Sequence, residues 1–154
     1  MKTNKKLLST LLLVGSASLV YVFLLFFRPV VIVAVHEDGN FSDVIVKNVP
    51  FTDRGKIAWW LKNKDKLKNR YGIPKPALYG NYTISFWLFG DGYKEEGKYD
   101  RLCFKDMQTD KNCIDKNRVF SIDKSKNKGT IFVVYDGDDY RLEENGEVIK
   151  IDHN

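Results

Sequence analysis

Histidine and cysteine are scarce in this chain, two of each in 154 residues, and their scarcity removes whole classes of chemistry. His36 and His153 stand 117 positions apart, near the ends of the polar region. Cys103 and Cys113 have neither CxxC spacing nor a neighbouring histidine, so no zinc ligand set can be assembled from local spacing. No metal and no cofactor is expected. The chain also lacks GxSxG, HExxH and any phosphate-cradling glycine loop. Asp136-Gly137-Asp138-Asp139 has carboxylates but not the alternating ligands and closing glutamate of a calcium loop, and reads as a turn. Glu95 and Glu96 could supply a carboxylate pair for glycoside chemistry, which needs two carboxyls roughly 5 to 9 Å apart in a cleft. Adjacent residues of an extended chain point to opposite faces, so these two fit poorly and read as solvated loop charges. His36, just before Glu37 and Asp38, reads as a solvated residue at a strand end. No catalytic residue is expected, and the chain does not read as an enzyme.

Charge is absent from one long stretch. Leu7 to Phe27 holds 21 consecutive uncharged residues, and as a helix it would run roughly 32 Å, enough to cross a hydrocarbon core of about 30 Å. Lys2, Lys5 and Lys6 precede it and Arg28-Pro29 follow. A cleavable signal would turn polar after its small residues, yet Gly15-Ser16-Ala17-Ser18 is followed by Leu-Val-Tyr-Val-Phe-Leu-Leu-Phe-Phe. A retained anchor is therefore expected over residues 7–27. No cysteine lies nearby to carry a lipid. The excess of lysine before the span places residues 1–6 in the cytoplasm and residues 28–154 outside it, in the periplasm of a double-membraned bacterium.

Net charge is also small where it would matter. The chain is +5, but Lys2, Lys5, Lys6 and Arg28 flank the anchor, leaving 21 basic against 20 acidic residues beyond it. That balance gives no argument for a nucleic-acid partner. In an oxidising compartment Cys103 and Cys113 read as a local disulfide closing a hairpin or loop, for which chain entropy gives about 3 kcal/mol.

Taken in order, the outer region begins with a β-branched run, Val30 to Val35, ending at the turn signal Glu37-Asp38-Gly39-Asn40. Phe41 to Val49 reads as the second strand of a hairpin and stops at Pro50. Thr52 can cap a helix running to Tyr71, with Asp53 at its positive end. Ile57, Trp60, Leu61, Leu67 and Tyr71 fall within one arc of about 120° and should face the core. Trp59 falls on the other side, among Lys62, Lys66 and Arg70. Either these four residues form an exposed partner-binding face, or a loop or sheet edge covers the tryptophan. Gly72-Ile73-Pro74-Lys75-Pro76 ends the helix, and Tyr82, Ile84, Phe86 and Leu88 then alternate as one apolar face of a strand. Tyr99–Phe104, Arg118–Ile122, Thr130–Tyr135, Tyr140–Glu143 and Val148–Ile151 follow as short strands. The expected fold class is α+β: an antiparallel β-meander packed with one amphipathic helix. Residues 53–70 carry seven basic and two acidic residues, whereas residues 136–154 carry seven acidic against Arg141 and Lys150. The two regions either screen one another and face solvent, or form a dipolar surface that a partner reads.

Phe89-Gly-Asp-Gly-Tyr-Lys-Glu-Glu-Gly-Lys-Tyr-Asp-Arg-Leu-Cys-Phe104, with Val33-Ala-Val-His36, Asn40 to Val49, Pro50 to Ile57, Trp59-Trp60 and Ile73 to Pro76, resembles enterobacterial domain-of-unknown-function family 943, single-pass membrane proteins without established catalytic residues. The resemblance spans nearly the whole chain. Together these features lead to the expectation of an inner-membrane-anchored protein with a periplasmic binding domain for a protein partner, with the immunity type that neutralises a secreted antibacterial toxin as the partner class considered. An envelope scaffold working laterally through Gly15, Ser16, Ala17 and Ser18 is the second reading. A hydrolase of envelope glycans or lipids, built on Glu95 or Glu96, is the third. Contact of the basic helix with anionic headgroups is disfavoured by the expected topology.

Overall fold

The computed structural model describes residues 4–152. An apolar helix α1, Lys5–Phe26, carries the charge-free stretch, buries none of its residues in the chain, and is long and apolar enough to cross a membrane. Its serines at 16 and 18 return their hydroxyls to the carbonyls of Leu13 and Val14, so the polar atoms are satisfied inside the helix.

Four residues beyond α1 the chain enters β1, Val31–Asp38, which pairs antiparallel with β2, Phe41–Lys47. α2, Asp53–Tyr71, follows. Thr52 caps it, its hydroxyl accepting from the Gly55 amide at 3.0 Å, and a side chain at Gly55 would press onto that hydroxyl. Gly72, at φ 71°, ends the helix in the left-handed conformation and donates its N–H to the carbonyl of Lys68. α2 serves as a crossover, because the next strand, β3, Tyr82–Leu88, lies parallel to β2. The short strands β4, Arg101–Cys103, and β5, Cys113–Asp115, form a hairpin of their own. β6, Arg118–Ser125, returns to β3, and β7, Gly129–Val134, β8, Asp139–Leu142, and β9, Val148–Lys150, continue outward. The main sheet has the order β1-β2-β3-β6-β7-β8-β9.

The α+β class and the mostly antiparallel sheet agree with the sequence reading, and two details differ. The meander is interrupted by the parallel β2–β3 pair, and the expected strand at Tyr99–Phe104 belongs to the separate hairpin, whose partner β5 had no strand signal. Cys103 and Cys113 are direct partners across that hairpin, at a disulfide distance of 2.09 Å.

Strand alternation divides the sheet into two faces. On one, Ile57, Trp60 and Leu67 of α2 close over Val44, Val46, Ile84, Phe86, Phe120, Ile122, Phe132 and Val134. Phe86 and Phe120 stack with centroids 4.3 Å apart. On the other, Ile45 and Trp87 meet Phe104 and Ile114 from the β4–β5 hairpin. Asp53, the first residue of α2, also reaches the β7–β8 turn, accepting from the Asp138 amide at 3.0 Å and the Tyr140 hydroxyl at 3.1 Å. Position 137 has to be glycine for this, since a Cβ there would lie 2.5 Å from the Asp53 carboxylate.

Candidate functional site

Strand β1 forms one edge of the main sheet, and its outer N–H and C=O groups have no neighbouring strand among the described residues. The opposite edge, β9, is only three residues long, whereas β1 runs for eight and reads Val-Ile-Val-Ala-Val-His-Glu-Asp. A long β-branched edge without proline or lysine is a template for another strand. Register shifts once along it, between Ile32 and Ala34, and Val31 and Val33 remain exposed at 45% and 37%.

Beside this edge, α2 and the start of β1 frame a groove lined by Val30, Val31 and Ile32 on one wall and by Trp59, Asn63, Lys66 and Arg70 on the other. The four helical residues recur at i, i+4, i+7 and i+11, one stripe along the helix. Of the two alternatives for Trp59 the covered one holds: its ring is half-buried against the core, edge-on to Phe86 with centroids 5.7 Å apart. The structure thus brings Trp59, Lys66 and Arg70 together and leaves Lys62 exposed outside the groove lining. Arg70 lies over the ring of Tyr71 at 5.3 Å.

The second polar cluster was missed. His36 is buried at 7% exposure, inside β1 rather than in a solvated turn. Its Nδ1 lies 2.8 Å from Asp106 Oδ2 and its Nε2 2.9 Å from the Tyr93 hydroxyl, while its ring stacks on Phe104 at 3.8 Å. The carboxylate of Asp106 only accepts, so it faces an N–H at Nδ1, while the Tyr93 hydroxyl at Nε2 can donate or accept. Burial, then the nearby Asp106 charge, raises the Tyr93 pKa. Asp43, the cross-strand partner of His36, accepts from the Trp87 indole N–H at 2.6 Å. Its pKa is raised chiefly by desolvation, against the lowering effects of that hydrogen bond and of His36 and Arg118. With both imidazole nitrogens engaged, the arrangement holds Asp106, inside the ring closed by the cysteines, against the sheet.

Glu95 and Glu96 are exposed, and their backbone carbonyls accept from Arg101. Asp136–Asp139 form the turn that Asp53 holds. Among the described residues no three His, Cys, Asp or Glu side chains converge as metal ligands would, and His153 lies outside the described residues.

No curated protein and no solved structure matches the chain. One family does, over residues 1–152, under the description "Enterobacterial putative membrane protein (DUF943)". With a single helix long and apolar enough to cross a bilayer at the start of its described residues, and a family match over nearly its full length, the chain belongs to this enterobacterial membrane-protein family of unknown function.

Proposed function

We propose that this protein is a membrane-tethered binding module that captures an extended, acidic segment of a protein partner by adding it as a strand to β1. The observation that carries this reading is the eight-residue edge β1 lying beside the groove of Trp59, Lys66 and Arg70. Main-chain pairing to an edge supplies affinity, and alternate side chains of the added strand reach flanking pockets. Here those pockets offer an aromatic wall and two cations, so acidic residues on the added strand are favoured. A second copy paired edge to edge would set its own Lys66 and Arg70 stripe beside this one, and like charges disfavour that arrangement.

The lysines before α1 support an N-terminus in the cytoplasm and a domain on the far side of the inner membrane, in the periplasm. Cys103 and Cys113 as direct cross-strand partners suit a disulfide in an oxidising space. A secreted antibacterial toxin is one partner class that a leashed, non-catalytic module fits, and the immunity reading belongs with it.

Site-specific photo-crosslinking in cells tests the proposal, with a photoreactive residue at Val33 on the β1 edge and at Ile149 on the β9 edge as control. A crosslink to a different protein at Val33, absent at Ile149 and lost with Lys66→Glu plus Arg70→Glu, is the expected result. Equal crosslinking at both edges, crosslinks only to a second copy, or insensitivity to the charge reversal overturns it. Exchanging α1 for an unrelated span separates the lateral-scaffold alternative, since strand capture should survive the exchange.

A further inference from the structure

A crevice of about 430 Å³ lies where the membrane helix meets the folded domain. The last turn of α1 supplies Leu25 and Phe26, and the segment after β2 supplies Asn48, Val49, Pro50 and Phe51. Leu25 is half-covered by the domain, and the Phe26 ring meets that of Phe51 edge-on at 5.3 Å. Phe51 is nevertheless 68% exposed. An aromatic left open in water would be unfavourable, but at the level where α1 leaves the bilayer it sits among lipid chains. One wall of the crevice is thus continuous with the membrane.

The opposite wall is polar and carries both signs of charge: Arg28 and Lys56, Asp53 and Asp136. Their commitments differ. Asp53 already accepts from the Asp138 amide and the Tyr140 hydroxyl, and Lys56 donates one of its hydrogens to the Phe51 carbonyl at 3.1 Å. Arg28 and Asp136 have no ion-pair partner among the described residues, and both are exposed. Asp136 is held at φ 64°, in the left-handed region that ordinary residues rarely occupy, at the tip of the turn clamped by Asp53.

We propose that this crevice seats the headgroup of a membrane phospholipid bearing a primary amine, its phosphate toward Arg28 and Lys56, its ammonium toward Asp136 and its acyl chains along Leu25, Phe26 and Phe51. Two cations beside one free carboxylate match a headgroup that is itself a joined anion and cation. A headgroup with phosphate alone would satisfy the cations but leave Asp136 opposed to a negative neighbour. Continuity with α1 selects a bilayer lipid over a free phosphate compound, because only the lipid also occupies the apolar wall.

The experiment is native mass spectrometry of the full chain in micelles doped with equal amounts of phosphatidylethanolamine and phosphatidylglycerol. The wild-type protein is expected to retain the ethanolamine lipid over the glycerol lipid by roughly threefold, the size an exposed ion pair gives. Asp136→Asn is expected to equalise the two, and Arg28→Gln to lower retention of both. Phe51→Ser should shorten the retention of either lipid without changing their ratio. Unfolding curves of Asp136→Asn and Arg28→Gln matching the wild type show that loss of binding is not loss of fold. Equal retention of the two lipids by the wild type, or a preference that survives Asp136→Asn, overturns the proposal. Addition of free phosphoethanolamine supplies the remaining arm: displacement of the lipid by the soluble headgroup at equal concentration also overturns it.

Discussion

The two faces of the main sheet are built on opposite plans. Toward α2 the surface is uniformly apolar, with Phe86, Phe120 and Phe132 fully buried beneath Ile57, Trp60 and Leu67. Toward the β4–β5 hairpin, a smaller apolar patch of Ile45, Trp87, Phe104 and Ile114 is bordered by polar groups joined in sets: His36 with Asp106 and Tyr93, Asp43 with Trp87, and Asp123 with Thr83 and Ser121. Apolar burial is non-directional, and each large side chain removed from water contributes about 1.5–3 kcal/mol wherever it fits. Hydrogen bonds contribute less on balance but lose their value when a partner shifts. The first face therefore supplies stability, and the second fixes where the hairpin sits.

The contrast is sharpened by four changes of decreasing effect. Phe86→Ala removes the ring stacked on Phe120 and touched by both Trp59 and Trp60, and is expected to destabilise the folded domain by about 3–5 kcal/mol. Denaturant unfolding of the full chain in detergent, followed by tryptophan fluorescence, measures it, and a loss below that of any hairpin-side variant would reverse the assignment of roles. Replacing Cys103 and Cys113 together by serine releases a loop spanning ten positions, with an expected loss of roughly 3 kcal/mol by chain entropy. His36→Phe keeps the ring stacked near Phe104 but leaves Asp106 and Tyr93 without their partner, a loss of about 1–2 kcal/mol. Its distinguishing readout is local: amide hydrogen exchange should quicken across residues 104–112 while β3 and β6 stay protected.

The smallest effect concerns Asp43. Desolvation raises its pKa in the folded protein, so the folded state holds the proton more tightly than the unfolded one. Its contribution to stability is fully present below the ordinary carboxylate range and is lost as pH rises through the raised folded value. Asp43→Asn, which keeps an oxygen for the Trp87 indole, is thus expected to be slightly more stable than wild type at pH 7, the difference closing as pH falls below about 4. A gap that widens on acidification would show that the ionised carboxylate is favoured by its neighbours.

Much of the apolar face was legible in the sequence, because alternation marks Ile84 and Phe86, and helical period marks Ile57, Trp60 and Leu67. Thr52 and Gly72 likewise announced both ends of α2. Alternation does not name a strand's neighbour, however, so the parallel pairing of β2 with β3 was hidden. His36 escaped for a related reason. Polar residues before a glycine read as a turn, and the carboxylate that makes a histidine tolerable inside β1 lies seventy positions away at Asp106. For Trp59, helix angle alone cannot decide between an exposed and a covered ring, and the contact with Phe86 decides it.

Only residues 27–30 separate α1 from β1. Five residue steps of chain reach at most about 18 Å, and eight residues of strand add roughly 26 Å. In the tethered arrangement proposed above, the Gly39 turn stays within roughly 45 Å of the point where the helix would leave the bilayer, however the domain pivots. Encounters are confined to a thin layer over the membrane, so a neighbour embedded in the same bilayer meets this domain at a far higher local concentration than one diffusing through the compartment.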